Sequence, residues 1–524
     1  MKWLFICGIG IAVILITADI IVKRVIEKKL DTTLNQFQPF LIASYKDLSI
    51  NLFTGSFKID SLNCVYTPHE TQPQNQHKIN IASVDMSGIN YFKLISGKTF
   101  SVSVLKLNNC SALLNSKLLH ETDTTAKILL SKIKLPFQNI EVKKLALTNT
   151  VVRETNHKTD PLFNAAFTIN DIKIAYVDSA FSLQAVDLTK VECILTDINY
   201  PLPGFHVIHI NRMSLNSEDS SLKIDSLKLI PQLGKLELGR KLGHQADHIN
   251  VVVPSVTLTG IDFKQLIQKK LIANELNINN AVVYVFRDRR LPRQMKDQPM
   301  SAGYLKQIPF YVHIDHFKLS NTTATSEEFP KDGDKTGYIK ITGINIIMEP
   351  FFNTPQKNDN TLTAAVKGNI MNAGIIHANI HLSLVSGVEN VNGAIEDLHL
   401  TALNPSAENL GKFHIESGVL NHLDFSFSAN NKKASGEIVG VYHDLVVDKL
   451  KETKDGKLKE ASIPSFALKT FILPKNKDAS VPLKRRTGKI DFERDPTRSI
   501  TFFYIKSLLD GIRDSFSLGF LLPS

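Results

Sequence analysis

The sequence predicts a mostly β fold, an elongated, curled antiparallel β-sheet in the form of a groove or taco-like repeats. To it are joined an N-terminal transmembrane helix, short interspersed helices and a C-terminal amphipathic helix. Three observations predict this. Short alternating apolar and polar runs fill the body of the chain, the same phrases recur about 172 residues apart, and one apolar run stands at the N-terminus.

The N-terminal run comes first. From Trp3 to Val22 only Thr17 and Asp19 break the apolar text, and about 20 residues at about 1.5 Å each span a hydrocarbon core of roughly 30 Å. Trp3, Leu4, Phe5, Ile6, Ile14, Leu15, Ile16, Ile21 and Val22 carry this anchor. A cleavable signal peptide is the rival, with Leu4 to Ile16 as its apolar region, but Thr17, Ala18 and Asp19 make a poor cleavage stretch. Lys2 precedes the run, whereas Lys23, Arg24, Lys28 and Lys29 follow it. By the positive-inside rule the body is cytoplasmic. Val22, Val25, Ile26, Lys29, Leu30 and Leu34 instead read as an amphipathic stem that carries those charges beyond the bilayer. Charge alone leaves the orientation open.

After the stem the period changes from helical to two. Leu48, Ile50 and Leu52, then Phe57 and Ile59, alternate with polar residues between Gly, Asn and Ser, the pattern of strands and turns. Specific words then return. FKIDSL at Phe57 recurs as LKIDSL at Leu222, VDMSGINYFKL at Val84 as VTLTGIDFKQL at Val256, and LKLNN at Leu105 as LNINN at Leu276. LPFQNIEVKKLALTNT at Leu135 matches IPFYVHIDHFKLSNT at Ile308, and FTINDIKI at Phe167 matches IKITGINI at Ile339. Ordered matches at nearly one spacing indicate an internal duplication. The implied organisation is an anchor and stem over 1–44, one β-repeat over 45–210 and a second over 211–385. A further β-region covers 386–475, and a basic linker with a helix covers 476–524.

Each repeat holds Leu-x-Leu words followed by Asn-Asn, Thr-Asn, Ser-Asn or Thr-Gly. Asn and Gly tolerate positive φ, so these dipeptides suit tight hairpin turns or bulges, and each repeat reads as a string of hairpins. Short helical words at Tyr91–Ile95 and Phe263–Lys270 interrupt the strands. Because successive strand residues alternate sides, Leu105 with Leu107, Leu145 with Leu147, Leu276 with Ile278 and Phe317 with Leu319 each place two apolar side chains on one face. Lys106, Asn277 and Lys318 face the other way. A second sheet or a helix is the ordinary cover for such a face, and lipid acyl chains are the alternative. These eight residues are the groove candidates.

Composition narrows the function. With 43% hydrophobic and 21% charged residues the chain has material for a core. The net charge of +10 favours anionic partners. Four cysteines without CxxC spacing give no metal or redox centre. No nucleophile elbow, phosphate-binding glycine loop, HExxH helix or paired catalytic carboxylates stand in a credible context, so the reading is non-enzymatic, without cofactor. His206 with His209, and His313 with His316, read as structural. Arg287, Asp288, Arg289, Arg290, Arg293 and Lys296 form the densest basic cluster of the body. It could meet lipid headgroups or nucleic acid, but without interleaved aromatics a solvated loop is the favoured reading, and no nucleic-acid partner is expected. The polar, basic stretches Lys451 to Lys459 and Lys475 to Lys489 read as loops or linkers, with contact to anionic lipid as the alternative. Finally, Ile500, Phe503, Tyr504, Ser507, Leu508, Gly511, Ile512 and Ser515 follow helical spacing on one side, which predicts an amphipathic helix; capping the open end of the sheet is the favoured role, with docking on a membrane or binding a partner as the alternatives.

The anchor, LSINLFTGSFKIDSL from Leu48 and VNGAIEDLHLTALNP from Val391 fall in one order with FHIESGVLNHLDFSFSANNKKASGEIVGVYHDLVVDKL from Phe413. In that order the chain resembles the AsmA-like family of bacterial envelope proteins. The resemblance covers most of the chain and rests on short, degenerate phrases. It implies a single-pass inner-membrane protein of the Gram-negative envelope with its bulk in the periplasm. The implied interior is a β-groove that takes phospholipid or another acyl lipid, and the implied role is outer-membrane homeostasis. The alternative is a non-enzymatic assembly or scaffold factor that meets outer-membrane or other envelope proteins.

Overall fold

The computed structural model describes residues 23–28, 30–32, 34–35, 38, 41–67, 76–90, 93, 99–114, 138–154, 161–177, 180–355, 360–452, 458–460, 470–472 and 485–515. The whole N-terminal anchor, Trp3 to Val22, lies outside them, as does most of Tyr91–Ile95. The chain is mostly β, with 64% strand against 15% helix, and divides into two compact units. One holds residues 1–200 and 210–222, the other residues 201–209 and 223–524. The second unit does not separate residues 386–475 from the strands before them.

In the first unit, strands β1 (Leu41–Ser44) and β2 (Asp47–Asn51) both pair with β3 (Ser56–Tyr66). β4 (His77–Ser87) and β5 (Thr99–Leu114) continue antiparallel. β6 (Asn139–Glu154) then runs parallel to β5, and β7 (Phe163–Val177) and β8 (Ala180–Leu202) follow antiparallel. Residues of β9 (His206–Asn216) and β10 (Ser221–Pro231) are shared between the units.

The second unit begins with helix α1 (Lys235–Leu242), β11 (Asp247–Thr259), helix α2 (Phe263–Ile267), β12 (Lys270–Asn279), β13 (Val282–Asp288) and helix α3 (Ser301–Lys306). β14 (Tyr311–Phe329) lies parallel to both β12 and β13. Antiparallel pairing carries on through β15 (Gly337–Met348), with β16 (Phe351–Phe352) beside β14, and then β17 (Thr361–Ile370), β18 (Gly374–Ser383) and β19 (Glu389–His399). Helix α4 (Asn404–Gly411) opens with Pro405 in its first turn, where its missing N–H costs nothing. β20 (Phe413–Ala429) and β21 (Lys433–Glu452) follow. β22 (Leu458–Glu460), β23 (Thr470–Ile472) and β24 (Arg485–Glu493) all pair with β21, and helix α5 (Ile500–Ser515) ends the described chain.

Three expectations are corrected. The sheet is mixed, not purely antiparallel, and the Asn-bearing dipeptides are not hairpin turns: the chain carries on in the same direction through each, with a register shift against the next strand at Asn149 and Asn321 and none at Asn109 or Asn280. Asn109 and Asn149 sit at φ 50° and 47° within β5 and β6, and Asn280 and Asn321 at 55° and 50° at the corresponding places of the second repeat. A short polar side chain tolerates that left-handed conformation and locally strengthens twist. In both repeats the later asparagine donates to the earlier, Asn149 to Asn109 at 3.1 Å and Asn321 to Asn280 at 2.7 Å. Gly88 and Gly260 repeat in the same way, at φ 68° and 67°, and there a Cβ would collide with Ser103 in one case and Asn274 in the other.

Second, the basic linker contains a strand. Arg485 to Glu493 pairs with β21 over nine residues, because Ile490 and Phe492 alternate with charged positions. Third, the densest basic cluster is a solvated loop only in part, Arg290 and Lys296 being exposed and outside any strand. Arg287 and Asp288 end β13, and the arginines are held by carboxylates. Arg287 meets Asp247 at 2.7 Å, Arg289 meets Glu328 at 3.2 Å, and Arg290 meets Asp288 at 2.7 Å while lying over Phe329.

The expected helices at Phe263 and Ile500 are present. α5 buries Phe503, Ser507 and Gly511 in the largest core cluster of the second unit, with Leu423, Phe425, Phe427, Ile438 and Ile490. Gly511 packs so close to the strand that its own carbonyl would overlap any Cβ on Gly488.

Candidate functional site

The site is built from the eight candidate side chains outward, through strand register. Residues paired directly across neighbouring strands project to the same face. In the first unit Leu105 pairs with Leu145, and Leu107 with Leu147. Leu105 also faces Met86 and Leu107 faces Val84 on β4, and beyond them lie Phe57 and Ile59 on β3. On the far side Leu145 pairs with Ile169 and Leu147 with Phe167. Two apolar rows therefore cross from β3 to β7 without a polar interruption.

The second unit repeats the arrangement and extends it. Leu276 pairs with Phe317 and Ile278 with Leu319, flanked by Leu258 and Val256 on β11. Phe317 then faces Met348 and Leu319 faces Ile346, followed by Ala364 and Val366 on β17 and Ile380 and Ala378 on β18. The first row proceeds through Val391, Phe427 and Gly436 to Ile490, and the second through Gly393, Phe425 and Ile438 to Gly488. The intervening row is polar over much of its length, with Asn277, Lys318, Asn379, Asn392, Ser426 and Glu437 in it. On that polar face a shallow depression of about 340 Å³ is lined mainly by His377, Asn379, Asn392, Asp424 and Glu437, with Gly393 and Phe425 of the second apolar row also in its lining.

All eight candidates are half-buried. Sequence reading missed Val84 and Met86, Ile346 and Met348, and Ile380, although period two was there to find them in VDM and INIIM. What covers the rows differs along each unit. Leu105 and Leu107 pack with the buried Leu48, Ile59 and Val84, and Ile26 and Leu30 from the stem pack on the same cluster. The stem is therefore held to the sheet here, and Lys23 is paired with Asp47 at 3.0 Å. Val25 stays 52% exposed.

One charged group interrupts the covered end. Glu389, at the start of β19, pairs with Leu382 and Ala429 on the apolar face and is wholly buried. It accepts from the hydroxyl of Tyr504 on α5 and from the backbone N–H of Ser301 at 3.1 Å. Burial pushes its carboxyl up to about 7, against the opposing pull of Ser301 and Arg494. No sequence signal marked it, because an isolated Glu before an apolar alternation reads as a strand end.

His206 hydrogen-bonds the Gly204 carbonyl through Nδ1 and accepts from Ile249 through Nε2, and His313 contacts Asp315 at 3.3 Å. Among the described residues no group of three His, Cys, Asp or Glu is placed to hold a metal ion, and no helix is long and apolar enough to cross a membrane. The anchor residues Trp3 to Val22 lie outside that description. No protein-family model and no curated protein matches the chain.

Proposed function

We propose that the chain is a single-pass membrane-anchored protein whose apolar rows bind or transfer phospholipid along a β-groove, with its body in the periplasm of a Gram-negative envelope and a role in outer-membrane homeostasis. The observation that carries this reading is the pair of unbroken apolar rows from β12 to β18, half-buried and backed by a row that is polar over much of its length on the opposite face. An acyl chain on such a strip gains about 0.8 kcal/mol for each methylene removed from water, while its headgroup remains solvated. No covalent step is required of the protein, and the reading is non-enzymatic. The order of anchor, early strand pair, repeats and late Leu-Asn-Pro phrase, similar to AsmA-like proteins, supports the same conclusion.

The test is mass spectrometry of lipid extracted from the detergent-purified full chain, with Leu107→Asp and Ile278→Asp as variants. The expected result is phospholipid bound to the parent and less of it in each folded variant. Equal lipid in the parent and both folded variants would turn the reading towards an assembly or scaffold factor for envelope proteins.

A further inference from the structure

Helix α5 separates its charges. Asp510 and Asp514 turn to the sheet, where they accept from the backbone N–H groups of Asp491 at 3.0 Å and Lys489 at 2.7 Å. Two amides of β24 thus receive side-chain acceptors in place of a neighbouring strand. The cations are disposed differently. Arg293 and Arg498 share one carboxylate, Asp495, at 2.9 and 4.0 Å. Arg498 and Lys506 share one ring, Phe502, at 5.1 and 5.9 Å from its centroid. Lys506 forms no ion pair among the described residues, and burial and the repulsion of Arg289, Arg498 and Arg513 lower its pKa. Arg289 and Arg287, which also act on Arg498, already have Glu328 and Asp247. Arg293, Arg498 and Lys506 therefore stand against Asp495, with Glu328 acting on Arg498 but paired with Arg289, which leaves a surplus of about two positive charges.

Apolar side chains close in sequence to these cations stand in water. Ile505 and Leu509 on α5 are 41% and 40% exposed, and Met295, whose sulfur accepts from Arg293 at 3.4 Å, is 72% exposed. A helix whose inner face is committed to a core while its outer face mixes bare apolar tips with surplus cations has the chemistry of an interfacial element. The cations meet anionic headgroups and the tips enter the headgroup boundary.

We infer that the outer face of α5, with the segment around Arg293 and Met295, docks on an anionic lipid bilayer. The inference rests on the lipid-binding reading above, to which it adds a bilayer surface met by the second unit. Each surplus cation contributes about five-fold in affinity, the equivalent of about 1 kcal/mol per basic residue at an anionic surface.

The experiment holds the full chain in phosphatidylcholine nanodiscs and measures capture by a second population, vesicles of phosphatidylcholine with or without phosphatidylglycerol. Capture is expected only with phosphatidylglycerol and is expected to fall as salt rises. Arg498→Gln with Lys506→Gln should lower the apparent affinity roughly 25-fold. Because Arg498 is partly buried, Ile505→Ser with Leu509→Ser, both exposed, gives a second variant, expected to weaken capture without altering the unfolding midpoint. Equal capture by vesicles lacking phosphatidylglycerol, or undiminished capture by both folded variants, would overturn the inference. So would abolition by inorganic phosphate at constant ionic strength, which would assign a site for a soluble anion. Lipid extracted before nanodisc assembly separates the two claims. A chain that carries lipid but does not dock loses only this inference, and one that docks but carries no lipid loses the lipid-binding reading.

Discussion

Strands β12, β14, β15 and β17 and strands β19, β20, β21 and β24 carry the same two apolar rows, yet the first set leaves them half-open and the second buries them. In the first set Leu276, Ile278, Phe317, Leu319, Ile346 and Met348 keep partial access to solvent. In the second set Val391, Phe425, Phe427, Ile438 and Ile490 are covered, with Phe503 of α5 and Met300 in the same cluster. The difference teaches that an alternating strand specifies a face and not its cover. Where a helix supplies the cover, the row becomes core.

The largest effect that sharpens this contrast comes from truncating one aromatic in each set. Phe425→Ala removes a ring that is 4% exposed and should cost about 3–5 kcal/mol, because a cavity remains behind it. Phe317→Ala removes a half-buried ring and should cost roughly 1–2 kcal/mol, in proportion to the smaller area it hides from water. Urea unfolding of both variants checks the pair; equal costs would erase the distinction between core and open row.

Glu389 tests how the cover is fastened. Its folded-state carboxyl lies near 7, above the ordinary value of 4.5, so the folded chain keeps a proton that the unfolded chain has already released. That contribution to stability is complete below about pH 4.5 and is lost as pH rises towards 7. Glu389→Gln is neutral throughout, so its stability relative to the parent should improve by roughly 3 kcal/mol between pH 4.5 and pH 8. The unfolding midpoints of parent and variant across that range measure it, and a constant difference would mean that Glu389 titrates as an ordinary carboxylate.

A smaller effect compares the repeats themselves. Asn149→Ala and Asn321→Ala each place an alanine in a left-handed bulge and remove one side-chain hydrogen bond. Each should cost about 1–2 kcal/mol, whereas Asn321→Gly keeps the conformation and loses only the bond. Similar losses at the two asparagines are expected from the common geometry. A loss at one alone would separate the repeats energetically.

Much of this was legible in the sequence, for reasons visible in particular residues. Leu-x-Leu words fix a face because strand side chains alternate, and the spacing of Phe503, Ser507 and Gly511 fixes the buried stripe of α5. Pairing direction was not legible. Asn109 and Asn149 signal positive φ, but that conformation serves a turn or a bulge equally, and only the parallel register of Leu105 with Leu145 decides between them. Long-range partners were equally hidden: nothing near Arg287 names Asp247, and nothing near Glu389 names Tyr504. The run from Arg485 to Glu493 looked like a linker because its apolar positions are outnumbered by charges on the opposite face.

The most direct test of the central claim places a photo-reactive benzoylphenylalanine at single positions of the full chain and measures cross-linking to lipid in native membranes. Adducts are predicted at Ile278 and Leu319 on the half-open rows, with few at Asn277 and Lys318 on the opposite face and few at Phe425 beneath the cover. Equal adducts at Ile278 and Asn277, or none at either Ile278 or Leu319, would contradict the account.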